Sequence, residues 1–128
     1  MKAPELFFLI LNYLNYNLTI DTVNDIQNKI INPKDYGLLI VDNVSPNDSY
    51  NVLKKSFKGH ANIIVIKSPG NLGYARGNNF GLRYIEKKFP ETKYVAIMNP
   101  DVRFFDNTNL EKTLRKLESD NKLTLLPR

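Results

Sequence analysis

Four clusters of polar residues each follow an apolar run in this sequence. They are Asn12-Tyr13, Asp42-Asn43, Ser68 with Asn71-Leu72-Gly73, and Asn99-Pro100-Asp101. Asp101 carries a hard oxygen donor of the kind Mg²⁺ or Mn²⁺ favours, and it is equally suited to capping the turn made by Pro100. Asp42 offers a carboxylate to the hydroxyls of a ribose or the edge of a base; its other use is to cap a turn with Ser45 or the backbone. The ring of Tyr13 either stacks on a nucleobase or packs at the rim of a sheet. Together these groups suit a small polar ligand approached by aromatic, amide and carboxylate groups.

Gly73, Gly77 and Gly81 recur every fourth residue. A glycine inside a helix is worse than alanine by about 1 kcal/mol, so three on one face need a reason. Close packing of the helix on a sheet is one reason. Approach of a diphosphate to the backbone at the helix start is the other. The stretch is neither GxGxxG nor a Walker loop, since no Lys-Ser or Lys-Thr follows.

The elements that position these groups follow from hydrophobic periodicity. Leu6 to Leu11 is a continuous apolar run and predicts a strand buried on both faces. Ile20, Val23, Ile26 and Ile30 recur at helical spacing, and Asn32-Pro33 ends that helix. Gly37 to Val41 predicts a second strand. Ser45 as cap, Pro46 in the first helical position and Asp48 as capping-box acid predict a helix start, with Val52, Leu53 and Phe57 as its apolar face. Ile63 to Ile66 is a third strand. A loop from Lys67 to Gly73 leads into a helix carrying Phe80, Leu82 and Ile85, which ends near Pro90. Tyr94 to Met98 is a fourth strand, Asn109 to Leu117 a further helix, and Leu123 to Leu126 begins a fifth strand. This alternation predicts an α/β fold: a mostly parallel open sheet with helices on both faces and right-handed crossovers. Ligands of such sheets bind outside the carboxyl ends of the strands, where the four polar clusters fall.

Composition narrows the field. At 42% hydrophobic and 24% charged, the chain is globular rather than disordered. Its 128 residues allow one core and exclude a large multidomain enzyme. With no cysteine, disulfide scaffolds, zinc-thiolate sites and thiol nucleophiles are excluded, and the single His60 leaves no His-based metal site. The Leu6–Leu11 run is far shorter than the ~20 residues of a membrane span and lacks a signal-peptide cleavage site. Lysine and arginine number 18 against 13 acids, a net charge of +5. Lys54-Lys55 and Lys87-Lys88 are the densest basic pairs. Without interleaved aromatics they read as solvated helix faces, not as a nucleic-acid surface.

Four segments carry a family resemblance that covers nearly the whole chain. Leu9-Ile10-Leu11-Asn12-Tyr13 is similar to an opening strand ending in Asn-Tyr, and Val41-Asp42-Asn43-Val44-Ser45 to Val-Asp-Asn-x-Ser. Asn71-Leu72-Gly73-Tyr74-Ala75-Arg76-Gly77-Asn78-Asn79-Phe80-Gly81 is very close to Asn-x-Gly-Phe-Ala-x-Gly-Asn-Asn-x-Gly, the most specific of the four. Met98-Asn99-Pro100-Asp101-Val102 is similar to Leu-Asn-Pro-Asp-Val, a form of the DxD motif. In this order they resemble the nucleotide-binding part of family 2 glycosyltransferases with the GT-A, Rossmann-like fold, and most of all the bacterial rhamnosyltransferase-like branch.

The resemblance implies roles. Tyr13 and Asp42, beside Asn12 and Asn43, would hold the base and ribose of a nucleoside-diphosphate sugar of thymidine or uridine type. The segment Asn71 to Asn79, with Gly73, Arg76 and Asn78, would line the donor pocket. Asp101 would bind Mg²⁺ or Mn²⁺ bridging the two phosphates, with Asn99 as a neutral contributor where a classical DxD has its first Asp. The reaction implied is inverting transfer of the sugar to a saccharide or lipid-linked saccharide acceptor in cell-surface polysaccharide synthesis. The setting implied is cytoplasmic, peripheral at the inner membrane face. Residues 1–128 then form a single donor-binding part. The acceptor half and the general base are expected outside it, and an exposed sheet edge would favour homo-oligomers.

Other classes give different expectations. A non-catalytic nucleotide-sugar-binding module would bind without turnover. A nucleotidyltransferase would carry a glycine-rich basic signature after the first strand, where Leu14-Asn15-Tyr16-Asn17 stands. A nucleic-acid-binding domain would bind with a steep salt dependence and without preference for a nucleotide sugar.

Overall fold

The computed structural model describes residues 3–30, 36–100 and 110–127. Its elements alternate as the two periods of the sequence require: β1 (Leu6–Asn12), α1 (Tyr16–Lys29), β2 (Gly37–Asp42), α2 (Ser49–Ser56), β3 (Ile63–Lys67), α3 (Gly73–Lys88), β4 (Tyr94–Met98), α4 (Leu110–Ser119) and β5 (Leu123–Pro127). The strands form one sheet in the order β3-β2-β1-β4-β5. The first four are parallel, and β5 returns antiparallel to β4.

Every residue of β1 and β2 is buried, which is why both read as continuous apolar runs. Alternate side chains nevertheless divide between two cores. Phe8, Ile10, Leu38, Ile40 and Met98 join Val23 and Ile26 of α1, Leu53 of α2, and Leu114 and Leu117 of α4. Phe7, Leu9, Leu11, Leu39 and Val41 join Ile85 of α3. Helices therefore cover both faces. Each large apolar side chain so buried contributes about 1.5–3 kcal/mol, and the two sheet faces dominate the stability.

Glycines set the distance between α3 and β1. A Cβ added at Gly81 would stand 2.5 Å from Leu9 Cδ1, and one at Gly77 2.7 Å from Leu11 Cδ1. Gly73 serves a different purpose. Its φ of +77° turns the preceding loop into the helix, with no neighbour within 4 Å of where a Cβ would be.

The start of α2 differs from the sequence expectation. The helix begins at Ser49, with Asp48 in the cap position and no side-chain cap bond there. Ser45 is engaged elsewhere: its hydroxyl donates to Asp42 Oδ1 at 2.7 Å and accepts the Leu14 N–H at 2.9 Å. Asn47 instead accepts the N–H and the hydroxyl of Ser49 at 3.1 and 2.6 Å. A loop that must hold Asp42 takes the serine away from helix capping.

The chain runs from β1 outward through β2 to β3, then crosses back to β4 on the other side of β1. Strand order reverses between β1 and β4, and open α/β sheets bind their ligands outside the carboxyl ends of the strands at such a point.

Candidate functional site

The ends of β1 and β2 are joined by buried side chains. Asn12 donates its amide N–H to Asp42 Oδ1 at 3.0 Å and accepts the Thr19 hydroxyl at 2.7 Å. Asp42 also accepts the Ser45 N–H on Oδ2 at 3.0 Å. Asn12, Thr19 and Asp42 are each fully buried. The carboxylate thus faces the protein, where it fixes the β2–α2 turn and, through Ser45, the Leu14 backbone after β1. Leu14 and Val44 both take positive φ, 68° and 54°, so the two loops turn sharply under this control.

Asn43 does the same for the loop between β3 and α3. Its amide donates to Asn71 Oδ1 at 3.2 Å and to the Gly73 carbonyl at 3.3 Å. Its oxygen accepts the Ser68 hydroxyl at 3.0 Å and the Leu72 N–H at 3.1 Å. One buried asparagine at the end of β2 therefore sets the path of the loop that opens α3.

Above these buried groups lie exposed ones. Tyr13 is 43% and Tyr74 59% exposed, so both rings are open to a ligand. The Tyr74 hydroxyl donates to Asn99 Oδ1 at 3.1 Å and links the start of α3 to the end of β4. Asn71 and Gly73 are exposed on the same loop, and Asn99 is half-buried. Thr22 of α1 donates its hydroxyl to the Pro100 carbonyl, which ties α1 to the segment after β4.

The structure therefore brings Asn12, Tyr13, Asp42, Asn43, Asn71, Gly73 and Asn99 to one end of the sheet. Arg76 and Asn79 sit further along α3, on its exposed side. Asn78 is 5% exposed, and its Oδ1 has no hydrogen-bond partner. Asp101 lies outside the described residues. Among the described residues no cluster of three or more histidines or acids is placed to hold a metal. An amide oxygen at Asn99 and a carboxylate at Asp101 are both hard oxygen donors, and that donor chemistry suits Mg²⁺ or Mn²⁺.

Sequence reasoning missed Thr19 and Thr22, and it put Tyr74 in the donor-lining segment without a role of its own. The two threonines were legible in principle: they are buried together with Val23 and Ile26 on α1, at helical spacing. Tyr74 stood inside the most specific motif, but nothing in its type announced a bond to Asn99.

Fold and site together define a mostly parallel, Rossmann-like α/β domain of GT-A type with a polar rim at its strand ends. The family model for glycosyl transferase family 2 matches residues 8–128, and the chain belongs to that family. No curated protein matches it by sequence. Among solved structures it is similar to the mannosyltransferase PcManGT from Pyrobaculum calidifontis in complex with GDP-Man and Mn²⁺. The TM-score is 0.71 at 15% identity, over 91% of this chain and 33% of that one. It is also similar to S. aureus TarS 1-349 in complex with UDP-GlcNAc, with a TM-score of 0.68 at 15% identity over 94% and 32% of the two chains. The chain thus spans about a third of the length of these structures. No helix among the described residues is long and apolar enough to cross a membrane.

Proposed function

We propose that this chain supplies the donor-binding part of an inverting glycosyltransferase that uses a nucleoside-diphosphate sugar. The observation that carries the reading is the convergence of Tyr13, Asn71, Gly73, Tyr74 and Asn99 at the strand ends, over the buried Asn12–Asp42 and Asn43 bonds. Family membership supports the reaction class. The nucleotide-sugar complexes of the structurally similar transferases support the ligand class.

In this reading Tyr13 stacks on the base. Asp42 holds the turn beneath base and ribose, and Asn71, Gly73 and Tyr74, at the start of the segment Asn71 to Asn79, line the sugar and diphosphate. Asp101, with Asn99, would hold Mg²⁺ or Mn²⁺, which supplies charge stabilisation to the departing diphosphate. The acceptor hydroxyl oxygen bonds to the anomeric carbon as the bond to the diphosphate oxygen breaks. The nucleoside diphosphate leaves with the electron pair. The hydroxyl proton passes to a general base, a role assigned to no residue of this chain. The Asn-Pro-Asp-Val and Gly-Asn-Asn motifs support the rhamnosyltransferase-like branch and a thymidine or uridine carrier. Its acceptor is a saccharide or lipid-linked saccharide of the cell surface, and its place the cytoplasmic face of the membrane.

Thermal unfolding with added nucleotide tests the donor site. A ligand at a hundred times its Kd stabilises by about 2.7 kcal/mol, so uridine or thymidine diphosphate with Mn²⁺ raises Tm by several degrees. An unchanged Tm at saturating concentrations of both nucleotides contradicts the proposal.

A further inference from the structure

A second concave surface lies on the flank of α3. It is a cleft of about 330 Å³ lined by Pro69, Leu72, Arg76, Asn79, Phe80 and Arg83. The four helical positions 76, 79, 80 and 83 share one face, because side chains three, four and seven apart line up along a helix. Arg76 and Arg83 are separated by about 10 Å of helix rise. Both are exposed, and among the described residues neither guanidinium has a hydrogen bond or an ion pair. The charged lining of the cleft is therefore wholly basic, and among the described residues it has no ion-pair partner. Its floor is apolar, since Phe80 is half-buried against the core between α3 and the sheet. Asn79 adds an amide between the two arginines.

Leu72 joins this cleft to the strand-end site. Its N–H is held by Asn43, so the cleft begins at the loop that opens the donor pocket and runs away along α3.

We infer that this cleft binds an acceptor chain of anionic saccharide, a sugar polymer carrying carboxylate or phosphate groups. The inference rests on the transferase reading and names the acceptor class for it: the cleft holds a length of the acceptor chain away from the reacting hydroxyl, whose own site is expected outside residues 1–128. Two guanidinium forks two helical turns apart match two anionic groups on one chain, each by paired N–H bonds. The apolar floor of Phe80, Leu72 and Pro69 matches the C–H face of a sugar ring, and the Asn79 amide matches a hydroxyl. The volume of about 330 Å³ is at the lower end of small-molecule sites.

The test uses the whole chain at low salt with three probes: hexameric oligogalacturonate, a phosphomannan oligosaccharide and neutral maltohexaose. Uridine and thymidine diphosphates with Mn²⁺ are titrated in parallel. One or both anionic probes bind and maltohexaose does not; which of the two binds tells carboxylate from phosphate. Arg83→Gln weakens that binding about tenfold, as loss of one charge-assisted contact requires, and leaves uridine diphosphate binding unchanged. Arg83→Lys recovers part of the loss, and an unchanged unfolding temperature shows that both variants are folded. Anionic binding lost in Arg83→Gln, in a chain that ignores uridine and thymidine diphosphates alike, sustains the cleft and removes the donor reading. Nucleotide binding without saccharide binding overturns the cleft alone. Equal binding of maltohexaose, indifference to Arg83→Gln, or tighter binding of polyglutamate than of either saccharide also overturns it.

Discussion

Asn12 at the end of β1 donates its side-chain N–H to Asp42 at the end of β2, 30 residues away and 3.0 Å distant. Both side chains are fully buried, so this bond joins two strand ends beneath the rim rather than reaching solvent. The carboxylate next to it holds Ser45, and Ser45 holds Leu14. Two loops of the candidate site are thus set by a single acid.

Removing that acid should damage stability as well as binding. Asp42→Ala leaves the buried Asn12 amide and the half-buried Ser45 N–H and hydroxyl without their acceptor; a fully buried group left unpaired costs about 1–3 kcal/mol and a half-buried one less. Urea denaturation of the variant should show a total loss of about 2–4 kcal/mol. A loss below 0.5 kcal/mol, on the order of a neutral surface change, would return Asp42 to a purely ligand-facing role.

Tyr13 should behave in the opposite way. Its ring is 43% exposed, so Tyr13→Ala leaves the unfolding midpoint nearly unchanged. Stacking on a base is worth about 1–3 kcal/mol, so nucleoside diphosphate binding should weaken by tenfold or more. Equal affinity in the variant would leave Tyr13 as a rim-packing residue.

The glycine stripe makes a packing prediction. Gly81→Ala gains about 1 kcal/mol of helix propensity but drives a methyl against Leu9 and Val41, and overpacking of that kind costs about 1–3 kcal/mol. The contact distances are 2.5 and 3.0 Å, and Leu9 and Val41 are fully buried and have little room to move. A net loss of stability is expected. A more stable Gly81→Ala protein would show that α3 does not pack this closely.

Much of the architecture was legible because β1 and β2 are buried on both faces, and continuous apolar runs such as Phe7-Phe8-Leu9-Ile10 have few other readings. Strand ends placed the site, since polar residues at Asn12, Asp42, Ser68 and Asn99 all close apolar runs. The α2 start was misread because Ser45-Pro46 is a good local cap signal. A tertiary bond to Asp42, visible only once β1 and β2 are neighbours, takes the serine instead. The antiparallel direction of β5 was equally hidden, because direction depends on which edge the chain returns to and not on strand pattern. The inward turn of Asp42 and Asn43 was illegible for the same reason: burial of a strand-end polar group follows from loop paths far away in sequence.

Alkaline pH offers an independent probe of the core. Tyr36 is 2% exposed and packs edge-on against Phe8, and burial pushes its phenol above the usual value, with a smaller opposing contribution from Asn62. In the unfolded chain that phenol ionises near pH 10, while in the folded chain it ionises later. Between those two values the unfolded state binds fewer protons, so stability falls as pH rises. The contribution is intact below pH 10. Urea midpoints of wild type should therefore fall more steeply above pH 10 than those of Tyr36→Phe; parallel curves would contradict this placement.

Calorimetric titration with uridine and thymidine diphosphates, with and without Mn²⁺, on the wild-type chain and on Asp101→Ala tests the donor site most directly. The account predicts saturable one-to-one binding that requires the metal and is lost in the variant. A folded wild-type chain that binds neither nucleotide, or an Asp101→Ala chain that binds as well as wild type with the same response to Mn²⁺, would contradict it.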